Sequence, residues 1–145
     1  MKVLVECLQG TKEKMEVTPD RKGFYCNRML KRKWIANYGL IPNTLQEDGD
    51  ELDAYIIGNN LKQGEVIDAL PICMIYVIDN YKIDNKIVCA AATARNIKYT
   101  VRKIFNFIGK YKKNCLPVAI TWKERDITYE YAKCKAYRNL FKGGK

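Results

Sequence analysis

A chain of 145 residues, 48% apolar and 29% charged with only 4 Pro, has the size and make-up of one globular domain over residues 1–145, which excludes a disordered or low-complexity protein. Lys and Arg number 26 against 16 Asp and Glu, a formal charge of +10 that favours polyanions without choosing between nucleic acid and small phosphates. With no histidine, Ser–His and Cys–His catalysis are excluded, and chemistry must run on carboxylates, lysines, arginines, tyrosines or metal.

Val3 to Cys7 is an apolar run carrying Glu6, Lys14 to Val17 alternates Met15 and Val17 with Glu16, and Phe24 to Leu30 follows a turn at Asp20-Arg21-Lys22-Gly23. These patterns predict short antiparallel strands. Ala36 to Pro42 reads as an apolar turn leading into Asp48-Gly49-Asp50-Glu51-Leu52-Asp53, four carboxylates in six residues. Tyr55 to Ile57, Val66 to Ile78 broken at Pro71, and Ile87 to Ala92 predict further strands. From about Arg95 the period changes: Ile97, Val101, Ile104, Phe105 and Ile108 recur at helical spacing, with Gly109 as the expected break. A second helix is expected from about Asp126 to Leu140, with Tyr129, Ala132, Tyr137 and Leu140 available for packing. The expected class is α+β, mainly β: a small closed antiparallel five-stranded barrel of the oligonucleotide-binding type, with additional β segments and two C-terminal helices.

Asp-Gly-Asp alone is an ordinary turn. Asp53, however, opens a β-like segment, and carboxylates this crowded raise one another's pKa unless a cation or donors sit among them. Hard divalent ions are the natural partners, magnesium above all, since it takes one or two carboxylates together with substrate phosphates. The calcium loop of an EF-hand is a poor fit, because counting from Asp48 puts Leu52 and Asp53 where a ligand and a glycine belong. Six cysteines without a Cys-x-x-Cys pair read as reduced thiols. No apolar stretch reaches the roughly eighteen residues of a membrane span, and Met1 to Gly10 lacks a cleavable signal's pattern, so a cytoplasmic protein is expected.

The stretch Ala36-Asn37-Tyr38-Gly39-Leu40-Ile41-Pro42-Asn43-Thr44-Leu45, followed by Glu47-Asp48-Gly49-Asp50-Glu51-Leu52-Asp53, resembles the signature of the soluble family I inorganic pyrophosphatases. The resemblance extends in the family's order to Glu6, Lys14-Met15-Glu16, Arg28, Ile78-Asp79, Asp84-Asn85-Lys86 and Tyr111-Lys112, and covers about Val3 to Cys115. Asn27 stands where an aspartate is common, Glu51 replaces the usual proline, and Trp34 stands near a usual Tyr-Pro.

The resemblance implies magnesium-dependent hydrolysis of pyrophosphate to two orthophosphates, with several ions per site. By similarity, Asp48, Asp53 and Asp84 hold one magnesium, Asp53 shares a second, Asp79 and Asp84 bind an ion arriving with substrate, and Glu6 assists a further ion through water. Asp50 takes the proton of the attacking water. Lys14, Arg28, Tyr38, Lys86, Tyr111 and Lys112 hold the phosphoryl groups, and Glu16 orients metal waters or Lys14. A homo-oligomer is expected by the same resemblance. Two rival readings are a basic barrel binding single-stranded nucleic acid, which the net charge admits and the acidic cluster opposes, and a hydrolase of a larger phosphoanhydride, for which no Gly-rich phosphate loop is present.

Overall fold

The chain opens with β1 (Lys2–Cys7), which buries Val3 and then Val5, Glu6 and Cys7, and a hairpin of β2 (Glu13–Val17) and β3 (Phe24–Met29) that forms its own two-stranded sheet. The computed structural model describes residues 1–143, and the end of the basic Lys142 to Lys145 tail lies outside them. There follow β4 (Asn37–Ile41), β5 (Leu52–Ile57), β6 (Val66–Asp68), β7 (Leu70–Asp79), β8 (Lys82–Ile83), β9 (Lys86–Ala90), α1 (Ile97–Tyr111), β10 (Cys115–Thr121) and α2 (Glu124–Gly143).

The large sheet runs β10-β7-β9-β5-β4-β1-β6, with β8 on β7. This corrects the closed antiparallel barrel. Among the described residues the path ends at β6 and β10, which do not pair with each other, and β5 and β9 lie parallel. A period of two reports which face of a strand is buried but not the direction of its neighbour. Because β7 and β9 form an antiparallel pair, returning β9 against β5 makes those two strands run the same way.

Ala36 to Pro42, expected as a turn, is largely β4, a central strand with all five of its residues buried. Gly39 is required there: a Cβ would stand 1.9 Å from the carbonyl oxygen of Leu4 on β1. Pro71 does not break its strand but sits at a register shift inside β7, while Ala69 separates β6 from β7. The edge strand β10 was not anticipated, and α1 continues past Gly109 to Tyr111.

Both faces of the sheet are covered. On one face Tyr55, Ile75 and Val88 pack with Val101, Ile104 and Ile108 of α1; on the other Ala54, Ile56 and Ile87 pack in the cluster that includes Ile127 and Cys134 of α2. Strands buried on both sides read as continuous apolar runs, which explains Leu52–Ile57. The inward stripe of α2 is Ile127, Glu130 and Cys134, so Tyr129, Ala132 and Leu140 are exposed, contrary to expectation, and Tyr137 is half-buried. No helix among the described residues is long and apolar enough to cross a membrane. All six cysteines are free, and only Cys26 is exposed.

Candidate active site

The site starts from strand register. Parallel pairing sets Asp53 opposite Lys86, and antiparallel pairing sets Leu40 opposite Asp53, with Tyr38 two residues back on the same face of β4. The Lys86 ammonium donates to Asp53 Oδ2 at 2.8 Å, to Asp84 Oδ2 at 2.9 Å and to the Tyr38 hydroxyl at 2.9 Å. Tyr38 donates in turn to Asp53 Oδ2 at 2.7 Å. Burial acts to strip the proton from Lys86, yet Asp53 and Asp84 outweigh it and hold its pKa well above the usual lysine range. Burial, then Asp53, pushes the Tyr38 phenol up. The Tyr38 ring stacks on buried Trp34 at 4.8 Å, so the tryptophan fixes the ring from behind.

The acidic loop is shaped by its own backbone. Asp50 N–H donates to Asp48 Oδ1 at 3.0 Å, Gln46 N–H donates to the Asp50 carbonyl at 2.8 Å, and Gly49 adopts φ 91°. Asp48 is raised to about 6, by burial first and then by the nearby carboxylates Asp84, Asp50 and Asp53, against the Asp50 N–H that lowers it. Asp50 is raised by burial and by Asp53. Glu6, buried on β1, is pushed to about 8 by burial and then Asp53, although it accepts the Val17 N–H at 3.3 Å.

A cavity of about 90 Å³ collects Glu6, Lys14, Glu16, Tyr38, Asp50 and Asp53. Lys14 donates to Glu16 at 3.1 Å, and Asn27 donates to the same oxygen at 2.5 Å. Burial opposes ionisation of Glu16, but Lys14, Asn27 and Tyr25 outweigh it and keep its pKa below the ordinary value. Asn27 is therefore a neutral donor to Glu16. Glu51 pairs with Arg21 at 2.6 Å.

Two expected members stand apart from the Lys86 hub. Lys112 closes a pair with Asp79 at 2.5 Å, leaving Asp79 Oδ1 buried without a partner. Arg28 is exposed on β3 and lies 5.8 Å from the centroid of the Tyr111 ring, which itself stacks on Phe107. Gln46, buried and donating to Asp84 Oδ1 at 3.1 Å, was not foreseen, because its partner is distant in sequence.

Among the described residues no three carboxylates already converge as a ligand set. The donor chemistry nevertheless fits hard divalent ions. The groups are oxygens, burial and then neighbouring carboxylates raise Glu6, Asp48 and Asp50 above the ordinary carboxylate range so that a cation among them would relieve the repulsion, and Asp79 keeps an orphaned oxygen.

The family profile described as "Inorganic pyrophosphatase" matches residues 3–122. The chain belongs to the inorganic pyrophosphatase family. An inorganic pyrophosphatase of Synechocystis sp. is 37% identical over 113 residues, covering 76% of this chain and 66% of the relative. That of Sulfolobus acidocaldarius is 36% identical over 115 residues, covering 77% and 66%. The chain thus matches just under two thirds of those relatives' length. The fold is that of solved pyrophosphatases: the Neisseria gonorrhoeae structure superposes with a TM-score of 0.85 at 24% identity, covering 96% of this chain and 91% of that one. Helix α2 lies beyond the residues that the pyrophosphatase profile matches.

Proposed function

We propose that this chain is an inorganic diphosphatase, hydrolysing pyrophosphate to two orthophosphates with magnesium as cofactor, through one catalytic domain spanning residues 1–145. The observation that carries the reading is the juxtaposition of Asp53, Asp84, Lys86 and Tyr38 with the cavity lined by Glu6, Lys14 and Asp50, in a chain of this family. Asp48, Asp53 and Asp84 would hold one magnesium, Asp53 would share a second, Asp79 with Asp84 would take an ion arriving with substrate, and Glu6 would assist a further ion. Bound magnesium supplies charge that offsets the substrate's and makes a water acidic enough to attack near neutral pH.

Asp50 is the proton acceptor for that water. Burial and Asp53 raise its affinity for a proton, which moves a carboxylate toward the range a general base needs. Lys86 is fixed by three acceptors and offers a rigid positive charge, whereas Lys14 and Lys112, each on a single carboxylate, can turn toward phosphoryl oxygens. Arg28 and the Tyr38 and Tyr111 hydroxyls add donors, Arg28 with a fork suited to two oxygens of one phosphate. Glu16 keeps Lys14 in place.

The reaction belongs in the cytoplasm, a setting that suits six free thiols. A homo-oligomer is supported by the edge strand β10, where Leu116 and Val118 are exposed. Phosphate release from pyrophosphate with magnesium, with ATP and single-stranded DNA run alongside, tests the reading. Rapid release from pyrophosphate alone is expected; salt-sensitive DNA binding without phosphate release would overturn it in favour of a nucleic-acid-binding barrel.

A further inference from the structure

We propose that Gln46 is a positioning residue for Asp84, holding that carboxylate in the orientation it needs to receive magnesium; this rests on the assignment of Asp84 as a ligand. The Asp84 side chain is gripped from two sides. Lys86 donates to Oδ2 at 2.9 Å and Gln46 Nε2 donates to Oδ1 at 3.1 Å, which together fix the carboxylate plane. The two donors differ in kind. An ammonium competes with a metal for the carboxylate, whereas a neutral amide orients it and leaves its charge available.

Gln46 is 4% exposed, and its Oε1 is buried with no partner. A half-satisfied buried amide costs stability, so an apolar side chain of the same length would serve the fold as well or better. What the amide adds is the bond to Asp84. Its position is set by backbone: Gln46 N–H donates to the Asp50 carbonyl at 2.8 Å, and Leu45 N–H donates to the Cys134 carbonyl of α2 at 3.1 Å. Helix α2 therefore anchors the loop from which Gln46 reaches Asp84, although α2 lies outside residues 3–122.

Gln46→Met retains length and apolar bulk and removes the donor; Gln46→Leu is a second replacement. Magnesium binding by calorimetry without substrate, thermal unfolding, and phosphate release across magnesium concentration are measured for each. For Gln46→Met the expected result is a Tm equal to or above the parent's and a magnesium affinity weaker by about 10-fold or more. Its kcat at saturating magnesium stays close to the parent's. Unchanged magnesium affinity in either folded variant overturns the proposal, as does a lowered Tm accompanying lost affinity in both, which would make Gln46 structural. A parent that binds magnesium but releases no phosphate overturns the assigned activity instead, while a weaker-binding Gln46→Met would still uphold the positioning role.

Discussion

Lys86 and Asp53 face each other across the parallel pair of β5 and β9, and the lysine, almost wholly buried, reaches Asp53 at 2.8 Å while also holding Asp84. A single buried cation thus pairs with two of the carboxylates proposed to hold metal. Lys86→Met removes it and leaves both uncompensated, a change that costs about 3–5 kcal/mol in buried pairs. Urea unfolding of the metal-free variant should show a loss of that size. Magnesium should stabilise the variant more than the parent, since the freed carboxylates then have no competing ammonium.

Asp50 and Asp53 part company under mutation. Asp50→Asn removes the proposed proton acceptor and keeps the shape of the loop, so phosphate release should fall by about 10²–10⁴-fold with magnesium affinity retained. Asp53→Ala removes the ligand proposed to be shared by two ions and also a partner of Lys86 and Tyr38. It should lower both turnover and magnesium affinity, and be the more damaging of the two. Calorimetry beside the activity assay separates them.

Glu6 and Asp48 give the metal-free protein a pH dependence of definite sign. Glu6 rises from 4.5 to about 8 and Asp48 from 3.8 to about 6, so the folded state holds protons that the unfolded chain has lost. Their contribution is complete below the unfolded values and is lost as pH climbs through the folded ones, by about 1.4 kcal/mol for each unit of upward shift at buried Glu6 and by less at Asp48, which water partly screens. Denaturant midpoints should fall as pH rises from 3.8 to about 8 without metal. Magnesium should flatten the fall and release protons on binding, detectable as a buffer-dependent heat.

Gly39→Ala should not yield folded protein. The added methyl would meet the Leu4 carbonyl at 1.9 Å, in backbone that is hydrogen-bonded on both sides and has no side chain to move aside. Loss of soluble expression, or of the cooperative thermal transition, is the readout. The glycine in Tyr38-Gly39-Leu40 thus serves strand contact rather than chemistry.

Much of the candidate site was legible because its carboxylates lie close in sequence, at Asp48, Asp50 and Asp53, or frame a short segment, at Asp79 and Asp84. The apolar runs of β1, β5 and β9 were legible for the same local reason. β4 was misread as a turn because Gly39 and Pro42 are also turn residues, and nothing in the local sequence says that Leu4 of β1 will press against Gly39. The open path with its parallel β5–β9 pair was hidden because alternation encodes burial and not pairing direction. Gln46 was hidden for a related reason: its meaning comes from Asp84, 38 residues away.

The most direct test of the central claim is phosphate release from pyrophosphate by the purified chain, titrated with magnesium. The account predicts no appreciable release without the ion, a saturable rise on adding it, and two orthophosphates formed from each pyrophosphate. Pyrophosphate left intact at every magnesium concentration, by a chain shown to be folded, would contradict it.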